Sequence, residues 1–261
     1  MKRNKKMKKL PAIMALLLCS GIAQARTYDE IINSGFLKVG VPADYAPLAF
    51  YNTQEKLVGF DIDMAKDLAK QLNVTTVFYI TSWPTLSQDL ADDNYDIAMG
   101  GVTYTKSRAE KFLLSDEIVP NGKVALAACH VASSLSSLDK IDKPNIKVVV
   151  NPGGTNESFV NDNIHTAQVI RVENNFDNIQ ALRDKTADLM VTDLIEGQYY
   201  QYKEPNVLCL ATDTPFKGTE SYKAYMVQSG NQKLLDAINS WLPNSNKQQL
   251  AIKWGVKIQL N

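Results

Sequence analysis

The chain has 261 residues, 28 basic and 28 acidic. Six of the basic residues and none of the acidic ones lie in the first 25, so the remaining 236 carry 22 basic against 28 acidic side chains, a net −6. That balance excludes the basic face of a nucleic-acid binder, and the length fits one large or two small domains.

In chain order, Lys2, Arg3, Lys5, Lys6, Lys8 and Lys9 form a positive start, Ala12 to Leu18 an apolar run, and Ala23-Gln24-Ala25 a small-x-small cleavage pattern. Together they predict a signal peptide over residues 1–25 and export to the periplasm. The run is too short for a membrane span, which needs roughly 20 apolar residues, and no later stretch is longer. Cys19 follows Leu18, where lipidation requires a small side chain, so cleavage after Ala25 is expected.

Phe36 to Val41 is a short apolar run stopped by Pro42, a strand. Asp61 to Leu72 places Ile62, Met64, Ala65, Leu68, Ala69 and Leu72 on one helical face. Thr76 to Ile80, Pro84 to Ala91 and Tyr95 to Met99 continue as strand, helix and strand. This alternation predicts an α/β lobe with a mainly parallel sheet. The order recurs: strand Ile146 to Val150, helix Glu157 to Asn163, strand Gln168 to Val172, helix Phe176 to Asp184, strand Leu189 to Thr192. Two lobes of similar build are expected, 26–122 with 222–261 and 123–221. The chain crosses between them near Asn121 to Cys129 and near Glu220 to Gln228. The final helices, Gln232 to Trp241 and Lys247 to Trp254, return to the first lobe.

Ligands of open parallel sheets bind beyond the carboxyl ends of the strands. Those ends carry Ala43-Asp44-Tyr45, Thr81-Ser82-Trp83, Gly100-Gly101-Val102-Thr103, Asn151 to Asn156, and Thr192 to Glu196. Polar, aromatic and glycine residues, Thr103 among them, therefore converge on a cleft between the lobes. Hinge motion can close such a cleft and exclude water.

No metal or coenzyme is expected. His130 and His165 lie far apart and read as surface residues, and no C-x-x-C pair exists. The serine-hydrolase, P-loop and dinucleotide motifs are missing. Cys129 and Cys209 remain after cleavage. Both lie in apolar, strand-like runs, in a chain sent to an oxidising compartment, so they are expected to pair.

Gly59-Phe60-Asp61-Ile62-Asp63-Met64-Ala65, Asp96-Ile97-Ala98, Arg108 and Phe112 to Ser115 resemble the signature of polar-amino-acid solute-binding proteins. The resemblance spans essentially the whole mature chain. It implies a periplasmic-binding-protein-like fold, two α/β lobes joined by two crossing strands. It also implies that Arg108 grips a ligand carboxylate and that Asp193 stands where amino-acid receptors hold the ammonium group.

Thr81-Ser82-Trp83-Pro84, Asn151-Pro152-Gly153-Gly154-Thr155-Asn156-Glu157 and the run from Ala187 to Glu196 resemble, more narrowly, the cyclohexadienyl dehydratases. That family shares the receptor fold and aromatises prephenate to phenylpyruvate or arogenate to phenylalanine. By this resemblance Trp83, Lys123, Asn151 and Asn156 bind substrate and Glu196 is the general acid. The sequence departs around Tyr104 to Ser107 and at Gly218-Thr219-Glu220, which bears on substrate preference.

From the residues alone each position has a plainer alternative. Glu196 suits an exposed first helical turn through the helix dipole. Arg108 suits a charged helix start, although its two-pronged fork suits a carboxylate. Lys123 in an apolar strand either snorkels at an edge or faces an anion. Asn151 and Asn156 bracket a Pro-Gly-Gly-Thr turn that exposes N–H groups to an anion or caps a helix through Thr155 or Asn156. Trp83 and Tyr45 suit a planar ring or a core. The expected ligand is a small carboxylate: prephenate, arogenate or an amino acid. A membrane permease partner follows only if the chain is a transport receptor.

Overall fold

The structure is a computed structural model and describes residues 26–212 and 214–258. The predicted signal peptide and Cys19 lie outside the described residues. None of the described helices is long and apolar enough to cross a membrane.

Two five-stranded sheets organise the chain. In the first, Phe36–Val41 lies between Thr75–Ile80 and Ile97–Ala98, parallel to both. Met226–Gln228 then runs antiparallel beside Ile97–Ala98 and carries Phe112–Leu114 on its other edge. In the second, Lys147–Val150 lies parallel between Gln168–Arg171 and Leu189–Asp193. Lys123–Ala128 is antiparallel to Leu189–Asp193 and pairs outward with Leu208–Leu210. Each sheet thus has four strands in one direction and one reversed strand in the fourth place. The expected recurrence is one of architecture.

Burial follows the strand period. Val148 and Val150 pack with Ile141, Val160, Leu189 and Val191 on one face of the second sheet. Val149 and Met190 pack with Ile179, Leu182 and Leu208 on the other. In the first lobe the helix Phe60–Gln71 lays Ile62, Met64, Ala65 and Leu68 against Leu37, Val39, Ile97, Leu234 and Ile238. A short antiparallel ribbon joins the lobes, with Val119–Asn121 facing Ser221–Lys223. It sets the side chains of the two crossings next to each other and beside the ends of both sheets.

Several predicted boundaries shift. The helix expected from Pro84 begins at Leu86. The helix expected from Glu157 begins three residues earlier, at Gly154, with Gly153 as N-cap. Thr155 and Asn156 therefore lie in its first turn and are not caps. Two consecutive glycines at positive φ let the chain enter the helix directly from the turn.

Cys129 opens a one-turn helix, Cys129–Ala132, instead of continuing the strand. Its partner Cys209 lies on Leu208–Leu210, and their Cα atoms are 4.8 Å apart in a disulfide. Both cysteines flank the second sheet, so the expected bridge is present and lies within one lobe. His130 and His165 are exposed, as expected.

Candidate ligand site between the lobes

Asp193 is the centre of the cleft. It ends the strand Leu189–Asp193 and is 3% exposed. Its register partner on the antiparallel strand is Lys123, so the two side chains share one face of the sheet. Lys123 Nζ donates to Asp193 Oδ1 at 2.7 Å, and Asn121 Nδ2 donates to the same oxygen at 2.6 Å. Tyr45 Oη donates to Oδ2 at 2.5 Å, and Lys223 Nζ donates there at 2.7 Å. Four donors fill the four lone-pair directions of the carboxylate. Burial works to raise the Asp193 pKa, but the two ammonium groups outweigh it and hold the carboxyl far below the usual carboxylate range.

Both lysines are also engaged elsewhere. Lys123 donates to Thr155 Oγ1 at 2.6 Å and to Asn156 Oδ1 at 2.5 Å. Burial pushes its ammonium down to about 8 against the opposing pull of Asp193. Lys223 donates to the Gly101 carbonyl and to Thr103 Oγ1, each at 2.9 Å. The Gly100–Gly101 turn is held from behind by Asp61, whose Oδ2 accepts both glycine N–H groups while Oδ1 accepts from Tyr225.

Arg108 comes from the short helix Lys106–Ala109, capped by the Thr105 side chain. One guanidinium nitrogen donates to the Thr103 carbonyl at 2.7 Å, and the side chain lines the cleft. Trp83 meets Tyr45 edge-on, with ring centroids 5.5 Å apart. Its indole N–H donates to Asp44 Oδ1 at 2.9 Å. Gly153 lies against the backbone of Trp83 and Pro84: a Cβ there would come within 2.5 Å of the Pro84 nitrogen. Only glycine lets this loop of the second lobe approach the first so closely.

Glu196 lies deeper, on the first turn of the helix Leu194–Lys203, and is 0% exposed. One carboxyl oxygen takes the Thr192 hydroxyl and the other takes Asn175 Nδ2 at 2.6 Å. Asn175 also reaches the first lobe. Its N–H donates to Asp44 Oδ2 at 3.0 Å, and its amide donates to the Asp44 carbonyl at 3.1 Å. Burial, assisted by the nearby carboxylates of Asp193 and Asp44 and opposed by the two hydrogen bonds, raises the Glu196 pKa to about 8.

Tyr45, Trp83, Thr103, Arg108, Asn151, Asn156 and Asp193 line a common space of about 20 Å³, room for about one water-sized particle. Lys123 and Glu196 stand behind this lining. Lys123 faces an anion, and Glu196 is buried, not exposed on its helix turn. No motif singles out three of the participants: Lys223, Asn175 and Asp44. Lys223 lies in a mixed return crossing with Glu220, Ser221 and Gln228, so it does not stand out as Lys123 does in its apolar strand. Asn175 carries no such signal, since it sits among ordinary helix-start residues. Asp44 stands in the strand-end set Ala43-Asp44-Tyr45, where nothing distinguishes it from its neighbours. No group of three or more metal-ligating side chains occurs among the described residues.

Residues 37–256 match the family model of bacterial extracellular solute-binding proteins, family 3. The chain belongs to this family. Cyclohexadienyl dehydratase of Pseudomonas aeruginosa is 34% identical over 232 residues, covering 88% of this chain and 85% of that one. The L-cystine-binding protein of Escherichia coli K12 is 27% identical and covers 94% of both chains. In structure, the chain is similar to an ancestral amino acid-binding protein described as a precursor of cyclohexadienyl dehydratase. Its TM-score is 0.78 at 33% identity, over 87% of this chain and 98% of that one. The two resemblances legible in the motifs thus agree with relatives found across nearly the full chain.

Proposed function

We propose that this protein is a periplasmic cyclohexadienyl dehydratase, converting prephenate to phenylpyruvate, arogenate to phenylalanine, or both. The observation that carries the reading is Glu196, a fully buried carboxyl whose pKa is raised to about 8, set beside a cation-rich cleft. A receptor gains nothing from an acid of that kind, whereas a dehydratase needs one. The 34% identity to a named dehydratase supports the reading.

The chemistry asks little beyond orientation and one proton. The bond from the ring to its carboxylate breaks, its electron pair enters the ring, and the ring hydroxyl departs. Glu196 protonates that hydroxyl as it leaves, so CO2 and water are released and Glu196 is left as a carboxylate to be reprotonated. Burial keeps the acid protonated at neutral pH, the environment that tunes other catalytic carboxyls. The ring carboxylate loses its charge on the way to CO2, so a cation fixed on it would favour the ground state. Arg108 therefore belongs on the side-chain carboxylate, which keeps its charge. Trp83 and Tyr45 flank the ring, with Asn151 and Asn156 beside them. Substrate entry requires the lobes to part, which releases Asp44 from Asn175. Closure restores that contact and with it the hold on Glu196.

Arg108→Lys should weaken carboxylate binding by about 1–3 kcal/mol, because a point charge replaces a two-pronged donor. Calorimetry with phenylpyruvate reads this directly. Unchanged affinity would remove Arg108 from the ligand.

The second reading is a transport receptor that passes an amino acid or carboxylate to a permease. The 27% identity to the L-cystine-binding protein over 94% of both chains favours it. Release of phenylpyruvate from prephenate separates the two, since a receptor returns its ligand unchanged.

A further inference from the structure

We infer that Lys223 fills the place of a ligand ammonium, so that this cleft selects carboxylates without an α-amino group and, of the two cyclohexadiene acids, takes prephenate over arogenate. The inference rests on the cleft being the ligand site, and it holds whether or not Glu196 turns the ligand over.

An ammonium has three N–H donors and no acceptor. Those of Lys223 are all used: on the Gly101 carbonyl at 2.9 Å, on Thr103 Oγ1 at 2.9 Å and on Asp193 Oδ2 at 2.7 Å. Its fourth contact is the Tyr45 ring, whose centroid lies 4.9 Å away. A carbonyl, a hydroxyl and a carboxylate around one nitrogen are the acceptors a bound α-ammonium requires. All three belong to residues that line the cleft with Arg108. Arg108 donates to the carbonyl of the same Thr103 whose hydroxyl receives Lys223. A carboxylate held by Arg108 therefore brings its α-carbon towards a position already served by a protein cation. A ligand ammonium there would find Asp193 saturated by Tyr45, Asn121, Lys123 and Lys223. It would also meet like charge on Lys223 and Arg108. A keto group at that position needs no acceptor and meets no repulsion. Lys223 is 2% exposed and has no N–H left for a ligand, so it acts on specificity through Asp193.

The test is calorimetric titration of the mature protein with phenylpyruvate and with L-phenylalanine, which share a skeleton and differ at the α-position. The wild type is expected to bind phenylpyruvate at least tenfold more tightly. Lys223→Met frees one lone-pair direction of Asp193 Oδ2, which keeps its bond from Tyr45, together with Thr103 Oγ1 and the Gly101 carbonyl, and should gain affinity for phenylalanine and reduce the ratio at least tenfold. Should that variant fail to fold, Lys223→Ala with added ethylammonium is the second arm: the amine should restore the wild-type ratio. Should neither variant fold, the wild-type ratio alone decides. Equal or tighter binding of phenylalanine by the wild type, binding of neither ligand, or a folded variant with the wild-type ratio each overturns the inference. Turnover separates it from the proposed reaction. Prephenate bound but unchanged would sink the dehydratase reading and leave Lys223 its role. Equal turnover of prephenate and arogenate would do the reverse.

Discussion

Glu196→Gln is expected to slow prephenate turnover by about 10²–10⁴-fold, the range for a general acid, while the fold and most of the ligand affinity survive. The amide matches the carboxyl in size and can still meet Thr192 and Asn175, but it has no acidic proton to give. The pH profile of the wild type should agree. The protonated form is the active one, so kcat/KM should fall as pH rises through about 8, where Glu196 ionises. Stability carries the same signature. The folded-state pKa of Glu196 lies above its unfolded value of about 4.3, so the folded protein binds the extra proton. That contribution is fully present below the unfolded value and is lost as pH climbs to about 8. The glutamine variant has no such loss, and its stability relative to wild type should improve between pH 5 and 8. Near-full activity in Glu196→Gln would remove this residue from the mechanism.

Loss of the Cys129–Cys209 bridge should lower stability by about 4–5 kcal/mol. The estimate comes from the chain entropy of a closed loop with a sequence separation of 80 residues. The bridge ties the helix Cys129–Ala132 to the edge strand Leu208–Leu210, both on the second sheet. It therefore staples one lobe and leaves the inter-lobe ribbon free. Reduced protein, or Cys129→Ser with Cys209→Ser, should unfold at a much lower denaturant concentration yet bind phenylpyruvate normally when folded. The oxidised protein should weigh about 2 Da less than its dithiol form, and its cysteines should resist thiol reagents in denaturant until a reductant is added. A stability change below about 1 kcal/mol would show that the loop is constrained in some other way.

The lobes were legible because strand and helix periods are local properties. The unbroken apolar run along Lys147–Val150, buried on both faces of its sheet, and the single apolar face of Phe60–Gln71 stand in the letters themselves. The site was legible in part. Strand ends announced Tyr45, Trp83, Thr103 and Asp193, and an isolated charge in an apolar strand announced Lys123. Lys223 carries no such signal, because Glu220 and Ser221 precede it and one more polar residue does not stand out there. The partner choices were not legible. Register places Lys123 opposite Asp193, while Lys223 arrives on a strand 30 residues later. Asn175 joins Asp44, which is 131 positions away in the chain, and a single sequence does not encode such pairings in any local pattern. The early start of the helix Gly154–Asn163 is hidden in a similar way. Glycine reads as a breaker, yet here two glycines at positive φ form its entrance.

Whether the cleft carries out a reaction or only holds a ligand is decided by incubating the purified protein with prephenate at neutral pH and following phenylpyruvate by its absorbance in base. Catalytic, time-dependent release of phenylpyruvate in excess of the protein present, slower by about 10²-fold or more with Glu196→Gln, is the predicted result. Prephenate recovered intact after prolonged incubation with protein that binds it would contradict catalysis and identify a receptor.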